Sequence, residues 1–302
     1  LVGIAGCSSV NRVAVNKLGD ALAGGGTVFA SDSDPELIRD AAPFSLKLME
    51  SLLAENPQHA GLLLAASSGF TQYAYAFVQQ EADELEATDV AAARARRLRA
   101  KGLYLRGRDY GLRGLEVAHP GLKAAIHRDP TAALAECTKE DVELLYWTAA
   151  AWGAAIAATK DDPALIADLP IVTALIDRAL AVDESWDAGA IHTFLITFEL
   201  SRAGGEGDPV ERARQHFNRA VALSQSGQAG PLVTYAEAVC VQQQDREQFA
   251  RLLNQALAID PDARPEWRLV NLVMQRRARW LLGRIDELFL PAEPAAPASS
   301  SP

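Results

Sequence analysis

Apolar residues along this chain recur every three to four positions, and no alternation of apolar and polar residues runs beyond a short stretch. That period is helical, so the pattern predicts helices from end to end and leaves no place for a sheet. Ser31-Asp32-Ser33-Asp34-Pro35-Glu36 marks a helix start: side-chain acceptors for unpaired N–H groups, proline at the first turn, and an acid beside the positive end of the dipole. One helix is expected from there to about Asp40, and another from about Pro43 to Glu55, stopped by Asn56-Pro57. Residues 60–80 carry no charge and have the length of a membrane span. Ser67, Ser68, Thr71, Gln72, Tyr73 and Tyr75 make the segment too polar for lipid, so a central buried helix fits better. Its aromatics, Phe70, Tyr73, Tyr75 and Phe77, suit a core or the wall of a cavity.

A long charged helix is expected next, with acids first (Glu81, Asp83, Glu84, Glu86, Asp89) and bases after (Arg94, Arg96, Arg97, Arg99, Lys101). Those bases read either as a solvated face or as a site for an anionic partner. Residues 107–114, with glycine at 107, 111 and 114, read as a turn-rich break. From Asp141 to Ala158 a strong helix follows, with Leu144, Thr148, Trp152 and Ile156 on one face and Trp147 roughly opposite.

The chain also repeats itself. Arg178-Ala179-Leu180-Ala181-Val182-Asp183 recurs as Arg219-Ala220-Val221-Ala222-Leu223-Ser224 and as Gln255-Ala256-Leu257-Ala258-Ile259-Asp260, at spacings of 41 and 36 residues. Ser51 to Pro57 is a fainter copy. Tetratricopeptide (TPR) units repeat at about 34 residues, so these are stretched helix pairs. Each pair leaves an apolar face for the next to cover, which predicts an all-α, TPR-like α-solenoid with a concave surface.

Composition narrows the function. Of 302 residues, 49% are hydrophobic and 23% charged, which excludes disorder over most of the length. A formal net charge of -10 argues against nucleic acid as a partner. Without a CxxC pair, the three cysteines suggest no structural zinc and no redox motif. Cys137 and Cys240 read either as a disulfide or as small buried hydrophobes. None of the five histidines lies in HExxH, Ser67-Ser68-Gly69 is no nucleophile elbow, and Gly24-Gly25-Gly26 is no phosphate loop. No enzyme, metal or cofactor is therefore expected. His192 and Glu199, seven apart on an apolar helix, read as a core histidine with an ion-paired glutamate, or as a polar pair orienting a ligand.

The first residues carry an address. Leu1-Val2-Gly3-Ile4-Ala5-Gly6-Cys7-Ser8-Ser9 looks like the tail of a signal peptide, and Ile4-Ala5-Gly6-Cys7 resembles the bacterial lipobox. Acyl chains on Cys7 would anchor the protein to a membrane, at about 0.8 kcal/mol per buried CH₂. The alternative is a buried N-terminal strand with an incidental cysteine. Ser8 in place of aspartate favours the periplasmic face of the outer membrane over the inner membrane. The expected organisation is a leader remnant over 1–7, a tether and lead-in helix over 8–30, the helical domain over 31–290, and a disordered tail over 291–302.

Several stretches together carry a family resemblance: FSLKLMESLLAENP, GRDYGLRGL, LLYWTAAAWGAAI, HTFLITFEL, HFNRAVALSQ and NLVMQRRARWLLGRIDELF. In that order the chain resembles the TatT family, the T component associated with TRAP (tripartite ATP-independent periplasmic) transporters. The resemblance implies a periplasm-facing, homotrimeric lipoprotein of cryptic TPR helix pairs that associates with the solute-binding P component. It also implies clefts and pores for hydrophobic or carboxylate ligands, and no catalytic signature. Ligand contacts are expected from residue chemistry at Tyr73, Arg108, Tyr110, Tyr146, Trp147, Trp152, His192, Phe194, Glu199, Asn271 and Gln275. The alternative function is a generic TPR-like interaction scaffold of the cell envelope.

Overall fold

A computed structural model describes residues 17–159, 161–202 and 204–291, and every regular element among them is helical. The all-α expectation is met. Cys7 and residues 292–302 lie outside the described residues. Helical segments at 17–23 and Gly26–Ala30 lead in. The longer helices are α1 (Pro35–Glu55), α2 (Ala60–Tyr73), α3 (Val90–Ala118), α4 (Val142–Ala157) and α5 (Leu169–Val182), then α6 (Ala190–Phe198), α7 (Pro209–Leu223), α8 (Ala229–Tyr235), α9 (Arg246–Ala258) and α10 (Arg268–Gly283). Two of them run on through π-helical segments: α2 through Ala74–Gln79 into Gln80–Leu85, and α8 through Ala236–Cys240 into Val241–Gln243.

Aspartate starts helix after helix. Asp34, Asp89, Asp208 and Asp245 each accept one or more backbone N–H groups of the first turn, which stabilises a helix start by about 1 kcal/mol. Each longer helix packs on the one before it. The repeated hexapeptides close α5, α7 and α9, and their matching alanines, Ala179, Ala220 and Ala256, are all fully buried. At each of these positions a larger side chain would hold neighbouring helices apart.

Three expected boundaries change. The helices expected to either side of Pro43 are a single helix, α1, with Pro43 inside it. The long charged helix is two segments: α2 ends near Leu85, and Asp89 caps α3. Acids and bases therefore face each other across a turn instead of lying along one dipole. Glu81 pairs with Arg96, Glu86 with Arg97, and Asp83 stands 3.5 Å from Arg97.

The expected break at 107–114 lies inside α3. Gly107, Gly111 and Gly114 fall at helical spacing on one face, and all three are buried. A Cβ at Gly107 would sit 2.5 Å from Thr71 Oγ1 and 3.0 Å from the Ser67 carbonyl; at Gly114 it would sit 2.6 Å from Leu144 Cδ2. Glycine here serves close packing of α3 against α2 and α4, which outweighs its poor helix propensity.

Three hydrophobic clusters form the core, centred on α1–α3, on α3–α6 and on α6–α10. Cys137 lies in the second and Cys240 in the third; both are buried and free, so no disulfide joins them. The last helix returns to the first ones. Arg268 donates to the Ser31 carbonyl (2.7 Å), Leu269 packs on the α1–α3 cluster, and Arg276 bonds Glu84 (2.8 Å). The array of helix pairs thus closes on itself.

Candidate functional site

Closure brings the π-helical segments of α2 and α8 to one buried arginine. Arg277 of α10 donates to Glu237 (2.6 and 2.5 Å) and to Asp83 (3.1 Å). Burial pushes its pKa down, but nearby Tyr75, Glu237 and Asp83 outweigh that and hold it above the ordinary arginine value. Beside it the Tyr75 hydroxyl lies 3.7 Å from Met274 Sδ, and Tyr104 donates to Gln79 (2.5 Å). Both of those phenol pKa values are raised, chiefly by burial.

Tyr75 nevertheless keeps 36% of its surface exposed. Tyr146 of α4 is half-buried with its phenol pKa likewise raised, first by burial and then by the charges of Asp187 and Tyr75. Tyr146 meets Trp147 and Trp186 at ring-centroid distances of 5.0 and 4.7 Å, tilted or edge-on, and Trp147 meets Trp186 at 6.4 Å. Such packing holds the rings in fixed orientations. Trp147 belongs to none of the three core clusters. Desolvation, with the charge of Glu143 adding to it, holds the Asp187 carboxyl above the usual range.

The backbone here is strained. Asp187 (φ 43°), Ala188 (φ 51°) and Gly189 (φ 94°) are left-handed in succession, at about 1–2 kcal/mol for each non-glycine. Gly189 has no alternative, because a Cβ would press on Ala220 and Leu223 at 3.2 Å. This kink sets Trp186 and Asp187 against α4 before α6 begins.

Of the residues expected at a site, Tyr146 and Trp147 are brought together, with Trp186, in one aromatic cluster; the others are placed elsewhere. Tyr73 lines a separate surface cleft of about 370 Å³ with Arg39, Phe77, Glu81 and Arg96. Arg108 pairs with Asp109 (2.7 Å) and lies over the Trp152 ring. Tyr110 stacks on Phe70 and donates to Glu50 (2.9 Å). Trp152 is core, its indole N–H bonded to Asp168 (3.2 Å). Phe194 stacks on Phe198. Asn271 clamps the turn before α8, accepting from the Ala229 N–H and donating to the Gly227 carbonyl. Gln275 donates to the carbonyls of Ala256 and Ile259, closing α9.

His192 and Glu199 do not act as a pair. His192 Nδ1 lies 2.8 Å from His216 Nδ1, and burial holds both histidine pKa values below the ordinary one. Glu199 is bonded by Arg212 (2.6 Å) and Arg202 (3.0 Å). Burial alone would raise its pKa; these two arginines outweigh it and hold the carboxyl below the usual range. The sequence reading missed Trp186, Asp187, Arg277 and Glu237, and it gave His216 no partner. Trp186 and Asp187 had one usable signal, the turn composition of Asp183 to Gly189 just before an apolar helix.

One further group of side chains has metal-ligand chemistry. His119, Cys137 and Asp141 each bring one ligand atom to within 4.8 Å of the others.

Among the described residues, no helix is long and apolar enough to cross a membrane. The sequence profile described as TRAP transporter T-component matches residues 31–289. An uncharacterized protein of Treponema pallidum (strain Nichols) is 34% identical over 272 residues, covering 87% of this chain and 83% of that one. The near-complete match identifies this chain as a member of the TRAP transporter T-component family.

Proposed function

We propose that this T component binds a small organic molecule at the aromatic cluster of Tyr146, Trp147 and Trp186 and docks the solute-binding P component of its transport system. The observation that carries the reading is that these three rings are in mutual contact yet each only half-buried, leaving aromatic surface open to a ligand. Concave, mostly apolar sites with a few fixed polar groups are the usual form of small-molecule sites. Of the two ligand classes implied by the family resemblance, this aromatic cluster favours the hydrophobic one. Arg277, the cation beside Tyr75, is already bonded to Glu237 and Asp83, so a ligand carboxylate would have to displace one of them to use it. The placement proposed with this function is a homotrimer on the periplasmic face of the outer membrane, held by acyl chains on Cys7.

Native mass spectrometry of the protein extracted from its own membranes tests the proposal. A trimer with retained small-molecule mass, reduced by Trp147→Ala or Trp186→Ala, supports ligand binding. Co-elution with a solute-binding protein supports docking, and acyl mass on Cys7 supports the anchor. Recovery of envelope assembly proteins, with neither ligand nor transport components, would favour a generic scaffold instead.

A further inference from the structure

Between α3 and α4 the chain passes through residues 119–141, whose regular structure amounts to two single-turn helices, Leu122–Ala125 and Pro130–Ala133, and a 3₁₀ turn, Lys139–Asp141. Its backbone bonds are short-range turns that do not by themselves tie it to α3 and α4 along its whole length. Its two ends and one point near its close nevertheless converge. His119 is the residue that ends α3, Cys137 lies near the end of the connection, and Asp141 is the last residue before α4. A ring nitrogen, a thiol sulfur and a carboxylate oxygen from these three all lie within 4.8 Å of one another, and Cys137 and Asp141 are buried.

A second observation separates this group from an ordinary ion pair. His119 Nε2 is buried and stands 3.0 Å from Asp141 Oδ2, yet the two atoms are not aligned as donor and acceptor, and Nε2 has no hydrogen-bond partner. Bonds of about 2.0–2.3 Å to a tetrahedral metal place neighbouring ligand atoms roughly 3.3–3.6 Å apart, a separation this cluster reaches with small adjustments. Outer contacts hold the donors in place. Thr138 N–H donates to Asp141 Oδ2 (2.8 Å), which leaves that carboxylate further lone pairs, and Arg178 Nε donates to the Cys137 carbonyl (2.9 Å).

We infer that His119, Cys137 and Asp141 form a divalent transition-metal site, best matched to zinc, that staples the connection to both of the helices it joins. Imidazole, thiolate and carboxylate together are a zinc donor set, and the two anionic donors neutralise the ion. On binding, the Cys137 thiol gives its proton to solvent as the metal–sulfur bond forms, so affinity rises with pH. Water completes the fourth position. The separation of His119 from Cys137 in sequence, with no CxxC or HxxxH pair, hides the site from motif reading.

The test uses the untagged chain, stripped of metal with chelator and then titrated with cobalt(II) as the spectroscopic probe. Expected are uptake of one equivalent, visible bands of tetrahedral intensity, and a thiolate-to-cobalt charge-transfer absorption. Zinc displaces the cobalt and raises the unfolding temperature of the stripped protein. Cys137→Ser abolishes the charge-transfer absorption. His119→Gln, at a partly exposed and structurally milder position, weakens cobalt binding about tenfold or more. Cys240→Ser, which removes the other buried thiol, leaves both unchanged. Far-UV circular dichroism confirms that each variant is folded. No uptake by the stripped chain, even when it is refolded with the metal present, would overturn the inference. So would a charge-transfer band that survives Cys137→Ser, or an unfolding temperature indifferent to saturating zinc.

Discussion

Gly102 and Gly111 share helix α3, and replacing each by alanine should move stability in opposite directions. Alanine is favoured over glycine inside a helix by about 0.5–1 kcal/mol. At Gly102 nothing lies within 4 Å of an added Cβ, so Gly102→Ala should realise that gain. At Gly111 the Cβ would overlap Thr148 Oγ1 and lie 2.9 Å from Ser67 Oγ and 3.1 Å from Thr148 Cβ. Thr148 is fully buried and its hydroxyl is bonded to the Leu144 carbonyl at 2.5 Å, so it has little freedom to turn away. Overpacking of this kind costs about 1–3 kcal/mol. The net for Gly111→Ala is a loss of about 1 kcal/mol, and Gly107→Ala/Gly111→Ala should lose more than that. The two sites share Ser67 as a neighbour, so their effects will not simply add. With roughly 2–4 °C per kcal/mol for a domain of this size, thermal unfolding should show Gly102→Ala above and the double variant clearly below the parent. Urea midpoints with unchanged slopes should agree. A double variant as stable as the parent would mean that α3 does not pack as closely as its glycines indicate.

Three other outcomes follow from the geometry. Ala188→Gly should stabilise the protein by about 0.5–1 kcal/mol in urea titrations, because relief of a left-handed alanine exceeds the added entropy of the unfolded chain; a loss would show that the φ of 51° carries no strain. Arg277→Met should cost about 3–5 kcal/mol by leaving Glu237 without its cation and Asp83 with Arg97 alone, and adding Glu237→Gln should recover part of it; equal stability of the single and double variants would contradict the assigned pairing. His192 and His216 have pKa values depressed in the folded state, so the unfolded chain takes up protons first and stability falls as pH drops below about 6.5. His216→Asn should flatten that fall, and an unchanged slope between neutral pH and the acid transition would refute it.

What could be read from the sequence was whatever depends on local pattern. The repeated hexapeptides marked the ends of α5, α7 and α9, because a buried alanine is needed wherever two such helices touch. Glycine carried two meanings that local reading did not separate. Gly24 and Gly25 form a turn, whereas Gly107, Gly111 and Gly114 keep helical spacing and mark a packing face. Their spacing was the available signal, and the polar residues between them, Arg108, Asp109 and Arg113, suggested a loop instead. In the charged stretch, Thr88-Asp89 signalled a new helix start, but the segregation of acids from bases drew attention to a single dipole.

The site was legible only in part because it is assembled by contacts distant in sequence. Tyr146 and Trp147 were recognisable as aromatics on a strong helix, but Trp186 reaches them only because three successive left-handed residues turn the chain there. Asn271 and Gln275 looked like ligand contacts because polar residues in an apolar helix invite that reading. Their amides instead satisfy backbone groups at the turns between helix pairs, groups that would otherwise be buried without partners. The same logic explains Arg277. A stack of helix pairs has two uncovered ends, and here the last helix covers the first ones. That requires charged surface from both ends to be buried together. Asp83 from the run-on of α2 and Glu237 from that of α8 share Arg277 of α10 at the seam, and Arg97 stands beside Asp83 as a second cation. The local widening of a π-helical turn changes the angular position of the residues after it, so each of the two facing helices departs from the 3.6-residue pattern where it meets Arg277. Closure therefore rests on residues that break the repeat, which is why the repeat alone held no sign of it.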